Sequence, residues 1–274
     1  MKKNMRKKWA YKGIYFLASI FLVLSVIYII KFFLVKQESI EERNLLNTVE
    51  ISEQVENVTI EENAVNEVEV ETEEVVQETQ RMLQVKSLQQ ENPDIVGWIE
   101  IENTKINYPV LQGTDNDYYL NHNYKKQKTQ KGSIFLNKDY NWDIPSSNLQ
   151  IYGHNMKNGE MFQGLLKYKS ESYYKEHPTI RFTTAKEDAI YEIISVFPSR
   201  VYYQTEKNVF RYYYFIHAET KEEYDDFVEN AKKASLYEIE ETAEYGDQLM
   251  TLSTCAYHTE DGRFVVIARK ADET

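Results

Sequence analysis

The chain has 274 residues, 42% of them hydrophobic, which is enough for one or two domains with a proper core. Its net charge is −12, and an acidic chain with no long basic stripe argues against nucleic acid as a partner. Its 22 tyrosines lean the composition toward a β-rich fold, because aromatic side chains suit half-buried strand surfaces.

The charge divides the chain into segments. Residues 1–35 carry seven Lys or Arg and no acid, residues 36–80 carry two against fourteen Glu, and residues 81–274 carry 23 against 30 acids. Residues 1–13 form a basic segment, followed by Ile14 to Ile30, seventeen residues without a charge. Extended past Lys31 to Val35, the run is long enough to span a bilayer, with the lysine reaching the interface. A cleaved signal peptide is the rival reading, but no small-x-small cleavage site follows Val35. Residues 14–35 are therefore expected to be a transmembrane anchor, with the basic flank cytoplasmic and everything after it outside the cell membrane.

Residues 36–80 alternate Glu and Val with no Gly, Pro, Cys or aromatic residue. Such a segment repels itself and reads as an extended or disordered stalk, in preference to an acidic docking segment. A helix near Gln77 to Gln90 leads into a globular domain over 81–274.

From Ile95 the texture is that of short strands: Ile95 to Ile101, Ile106 to Leu111, Gly132 to Leu136, Leu149 to Gly153, Thr179 to Thr183 and Ala189 to Phe197, with Phe210 to Ile216 as a weaker one. Asp115 to Asn121 reads as a helical turn capped by Asp115 or Asn116, and short helices are expected at Glu160 to Tyr168 and Ser170 to Glu176. Lys221 to Ala234 has apolar residues at helical spacing (Tyr224, Phe227, Val228, Ala231) with Thr220 as cap, and is the strongest helix. Gln248 to Cys255 and Arg263 to Ala268 close the pattern as an antiparallel hairpin around Asp261-Gly262. The fold class is mainly β with helical decoration: a closed or nearly closed eight-stranded barrel, an N-terminal helix and a long helix before the last two strands.

Cys255 is the only cysteine, and the hairpin puts it at the same end as Arg263. A lone strand cysteine is usually a small core hydrophobe. On the extracytoplasmic side a single free cysteine is unusual, which favours reactivity. Strand alternation supplies a test. If Leu149 and Ile151, Met250 and Leu252, and Phe264, Val266 and Ala268 face the core, then His154, Cys255 and Arg263 all face the outer wall at strand ends. A thiol beside an imidazole and a guanidinium is suited to nucleophilic catalysis, with His154 as general acid and base and Arg263 as oxyanion or substrate stabiliser. His258 is a rival to His154. No metal-site spacing and no glycine-rich phosphate loop is present, so no cofactor is expected.

Thr251-Leu252-Ser253-Thr254-Cys255 with Arg263 downstream, Tyr152-Gly153-His154-Asn155-Met156, Asn107 to Gln112, Asp117 to Leu120 and Lys131 to Phe135 together resemble a class B sortase over roughly residues 85–270. The resemblance implies a sortase-type barrel and a membrane-anchored cysteine transpeptidase of a Gram-positive bacterium. Such an enzyme cleaves a C-terminal sorting signal after Thr on a secreted protein and joins it, through a thioester, to a peptidoglycan amine. It carries over Cys255, His154 and Arg263 as the catalytic set, and Asn116, Leu120, Tyr152, Ser253 and Thr254 as lining of the substrate groove. No Asp-Pro-aromatic lid motif of the pilin-polymerising class precedes the barrel, and Ala256 and Tyr257 stand where some relatives carry an acid. The alternatives are a pilin-linking sortase, a mainly hydrolytic thiol protease, or a non-catalytic surface-tethered binding module.

Overall fold

The computed structural model describes residues 20–34, 37, 79–143, 147–256 and 259–272. The basic segment 1–13, nearly all of the expected stalk and His258 lie outside them. Residues 20–34 form α1, a helix whose apolar side chains are mostly exposed, Phe21 at 76% and Tyr28 at 73% among them. Among the described residues no helix is long and apolar enough to cross a membrane. The remaining seven residues of the anchor expected over 14–35 lie outside the described ones.

The globular part begins with α2 (Gln80–Glu91), capped by Thr79, whose hydroxyl accepts from the Met82 N–H. Eight strands follow: β1 (Ile95–Glu100), β2 (Asn107–Leu111), β3 (Ile134–Leu136), β4 (Asn148–Gly153), β5 (Thr179–Thr183), β6 (Asp188–Arg200), β7 (Leu249–Cys255) and β8 (Gly262–Lys270), with the short helix α3 (Glu171–Glu176) between β4 and β5. They close into one barrel in the order β1-β2-β3-β4-β7-β8-β6-β5, with β5 returning to β1. Closure gives each of these eight strands a neighbour on both sides. Two neighbour pairs, β2 with β3 and β4 with β7, are parallel; the rest are antiparallel.

Alternation has the expected phase. Leu149, Ile151, Met250, Leu252, Phe264, Val266 and Ala268 belong to the core that fills the barrel. The opposite face differs from the simple expectation, because it is not open to water. Gln150, Thr251 and Val265 are fully buried there. They lie under the segment between β6 and β7, which includes α4 (Lys221–Ala234) and builds a second core on the barrel's outside from Tyr224, Phe227, Val228 and Ala231 with Ile194, Leu249, Val265 and Ile267. A register shift between Ile193 and Ser195 reverses the phase of β6: Tyr191 and Ile193 enter the barrel core before it and Val196 after it, while Ile194 and Phe197 join the outer core.

The strand expected at Phe210 to Ile216 is not formed. Tyr212–Tyr214 is a 3-10 turn, and Phe210, Tyr212 and Phe215 pack into the outer core. Aromatic density read as strand propensity is here a lid of rings over the barrel wall. Phe227 anchors it, stacking on Phe215 with centroids 4.0 Å apart and touching Phe210. Phe227→Ala is expected to destabilise the fold by about 3–5 kcal/mol. Chemical denaturation measures this, and an unchanged midpoint would show that α4 is not welded to the barrel.

Candidate active site

The last paired residues of β4 and β7 are Gly153 and Thr254, so His154 and Cys255 are the next residues out of a parallel ladder. On the other side of β7, Cys255 is the register partner of Arg263 in β8. Three neighbouring strands thus deliver an imidazole, a thiol and a guanidinium to one end of the barrel. All three line a cavity of about 280 Å³.

Gly153 is required for this approach. A Cβ there would lie 2.4 Å from Ile134 Cδ1 and 2.7 Å from Phe162 Cγ, inside contact distance.

His154 Nε2 lies 2.7 Å from the carbonyl oxygen of Leu120. A carbonyl only accepts, so Nε2 carries a proton and Nδ1 is left for proton exchange. The orienting group is therefore a backbone carbonyl and not an acid. It comes from the 3-10 turn Tyr118–Leu120, which Asp115 caps by accepting from the N–H groups of Asp117 and Tyr118. Gly132, at φ +60, presses against this turn: a Cβ would sit 2.5 Å from the Leu120 oxygen. The loop after His154 is tied to the same region by a Lys131–Glu160 ion pair at 3.2 Å, with the Lys131 side chain 3% exposed.

Arg263 donates through Nη1 to the carbonyls of Asp261 and Gly262. Both partners are neutral, and among the described residues no carboxylate pairs with the guanidinium. Its field reaches two tyrosines on the cavity wall. Burial pushes the Tyr152 hydroxyl up to about 12, against the opposing pull of a bond from Asn137 and of Arg263. Burial raises Tyr212 well above its ordinary value too, with Ser253 and Arg263 pulling the other way. Both rings stay neutral at physiological pH and present hydroxyls.

The five residues expected to line a substrate groove all border this cavity, in different ways. Leu120 is 38% exposed at the rim. Asn116 is tied down by accepting from the Lys138 N–H and donating to Asn137. Tyr152 donates to Gln150 and accepts from Asn137. Ser253 is buried, with its hydroxyl 2.8 Å from that of Tyr212. Thr254 is buried with no hydrogen bond to its hydroxyl, and it shares strand phase with the core residues Met250 and Leu252. The cavity also takes Val201, Tyr212 and Tyr213 from the segment after β6. The sequence reading missed these. Tyr212 and Tyr213 belong to the dense aromatic run that reads as a strand, and Val201 carries no sequence signal. Among the described residues no cluster of three or more His, Cys, Asp or Glu is placed to hold a metal ion.

The family model described as Sortase domain matches residues 99–271. Sortase B of Listeria monocytogenes is 37% identical over 187 residues, covering 67% of this chain and 72% of that protein. Sortase B of Staphylococcus aureus is 33% identical over 188 residues, covering 68% and 74%. Among solved structures, Clostridium perfringens sortase B superposes with a TM-score of 0.62 at 32% identity, over 68% of this chain and 99% of that one. A Staphylococcus aureus sortase B–substrate complex gives 0.67 at 27% identity, over 87% and 98%.

Proposed function

The chain belongs to the sortase family, on its sortase B branch, and from that premise we propose how its residues perform cysteine transpeptidation. The Cys255 thiol gives its proton to Nδ1 of His154, and the thiolate attacks the carbonyl carbon of a Thr in the C-terminal sorting signal of a secreted protein. The oxygen gains negative charge, which the Arg263 guanidinium stabilises. His154 gives its proton to the leaving amine, the C–N bond breaks, and a thioester to Cys255 remains. A peptidoglycan amine then attacks the thioester, His154 takes its proton, and the sulfur leaves as thiolate. The product is a new amide joining protein to cell wall.

The observation that carries this reading is the meeting of Gly153 with Thr254 and of Cys255 with Arg263 in the strand register, which sets three reactive groups on one cavity. Asn116, Leu120, Tyr152, Ser253 and Thr254 are assigned to the peptide groove. Ser253 acts through Tyr212, whose hydroxyl it engages. Residues 1–13 are assigned as cytoplasmic, 14–35 as a single-pass membrane anchor, 36–80 as a stalk, and 81–274 as the catalytic domain on the outer face. The uncharged run Ile14 to Ile30 and the exposed apolar helix α1 support the anchor.

A library of sorting-signal peptides, incubated with the full-length chain with and without hydroxylamine, tests the reaction. Cleavage after Thr is expected, with the hydroxamate replacing the free acid as amine is added. Release of free acid alone at every amine concentration would make the enzyme a thiol hydrolase instead.

A further inference from the structure

Among the described residues that line the cavity there is no Asp or Glu. Resting on the transpeptidase reading, we propose that Asn155 is the positioning residue that keeps Cys255 and His154 together.

The parallel ladder of β4 and β7 ends at Gly153 and Thr254. Beyond it, β4 turns away into a loop, and the carbonyl of Cys255 loses its next backbone donor on that side. The Asn155 amide replaces that donor: Nδ2 donates to the Cys255 oxygen at 2.9 Å. On its other side the chain is gripped by β8, where the Ala256 N–H donates to the Gly262 carbonyl at 2.9 Å. The nucleophile is thus held by backbone toward β8 and by a side-chain amide toward the His154 loop.

That loop is a firm support. Asn155 bridges to Met161, the Phe162 N–H donates to the His154 carbonyl at 2.9 Å, and the Met161 N–H donates to the Tyr108 hydroxyl at 3.0 Å. Met161 itself sits at φ 56, an unusual conformation that this bonding imposes. The residue type at 155 also follows from the geometry. Facing a carbonyl, the side chain must donate. Next to a thiol and an imidazole it is best neutral, since an aspartate would turn an acceptor on the Cys255 oxygen and place negative charge beside the thiol. An amide meets both conditions.

Asn155→Leu keeps the side chain's size and removes the donor; Asn155→Ala removes both. In the full-length chain, with a peptide selected from the library, each variant is expected to lose about 10- to 100-fold in kcat, the cost of small misplacements in an active site. KM should stay within about twofold, and the thermal midpoint within about 4 °C, the shift of roughly one lost hydrogen bond. Alkylation of Cys255 by iodoacetamide needs no peptide, and it should slow at least about threefold as the thiol loses its imidazole neighbour. Wild-type kcat in both variants, a loss carried by KM alone, or unchanged alkylation would overturn the role of Asn155. Failure of the wild-type chain to cleave any peptide would instead count against the transpeptidase reading, and the alkylation rates would still decide on Asn155.

Discussion

Cys255→Ala is expected to abolish cleavage of every sorting-signal peptide, by roughly 10⁴-fold or more, and to leave the fold intact. The loss is total because the proposed reaction runs through a bond to sulfur, and no second cysteine exists to take its place. The fold should survive because the Cys255 side chain is only partly buried at the mouth of a cavity, and its carbonyl and register contacts belong to the backbone. Mass spectrometry supplies a direct readout: the wild-type chain, mixed with peptide and no amine, should accumulate an adduct of the acyl fragment, and the variant none. Turnover retained in Cys255→Ala would end the thioester proposal outright.

His154→Ala should cost about 10²- to 10⁴-fold in kcat, the usual weight of general acid–base catalysis. The Leu120 carbonyl holds Nε2, so the proton delivered to the leaving amine is assigned to Nδ1. An ester substrate with a nitrophenolate leaving group does not need that proton, so the deficit of the variant should shrink by at least about tenfold on such a substrate. A deficit of the same size on ester and amide would place the role of His154 elsewhere than at the leaving group. Full activity in His154→Ala with loss in His258→Ala would move the assignment to His258.

The barrel was legible in the sequence because its strands alternate cleanly, and alternation is a local signal. The phase assigned to Leu149, Met250 and Phe264 sets which side of each strand enters the core. The strongest helix, Lys221–Ala234, announced itself through Thr220 and four apolar residues at helical spacing. What alternation does not encode is what lies against the outer face. Gln150 and Thr251 read as solvent-facing polar residues, yet Gln150 donates to the Tyr212 carbonyl and Thr251 to Asn148, both beneath the segment after β6. The site divides in the same way. Cys255 and Arg263 are close in sequence, so a hairpin was enough to pair them. The Leu120 carbonyl that orients His154 has no sequence signature, because any residue supplies a carbonyl. The contributions of Val201 and Tyr213 depend on how a long insertion folds back, which no local pattern states.

The parallel pairing of β4 with β7 has a consequence for the order in which the molecule is made. Asn155 and Cys255 touch across 100 residues of chain, and β5, β6 and α4 must be threaded between them. Contacts of such long sequence separation close late, since the entropy of the intervening loop is lost before they contribute. A chain that emerges N-terminus first therefore presents its imidazole long before its thiol. In the proposed reaction the two can act as a pair only when β7 has closed on β4. On the proposed mechanism, partly folded molecules carry a cysteine without its imidazole partner, and activity awaits the long-range pairing of β4 with β7.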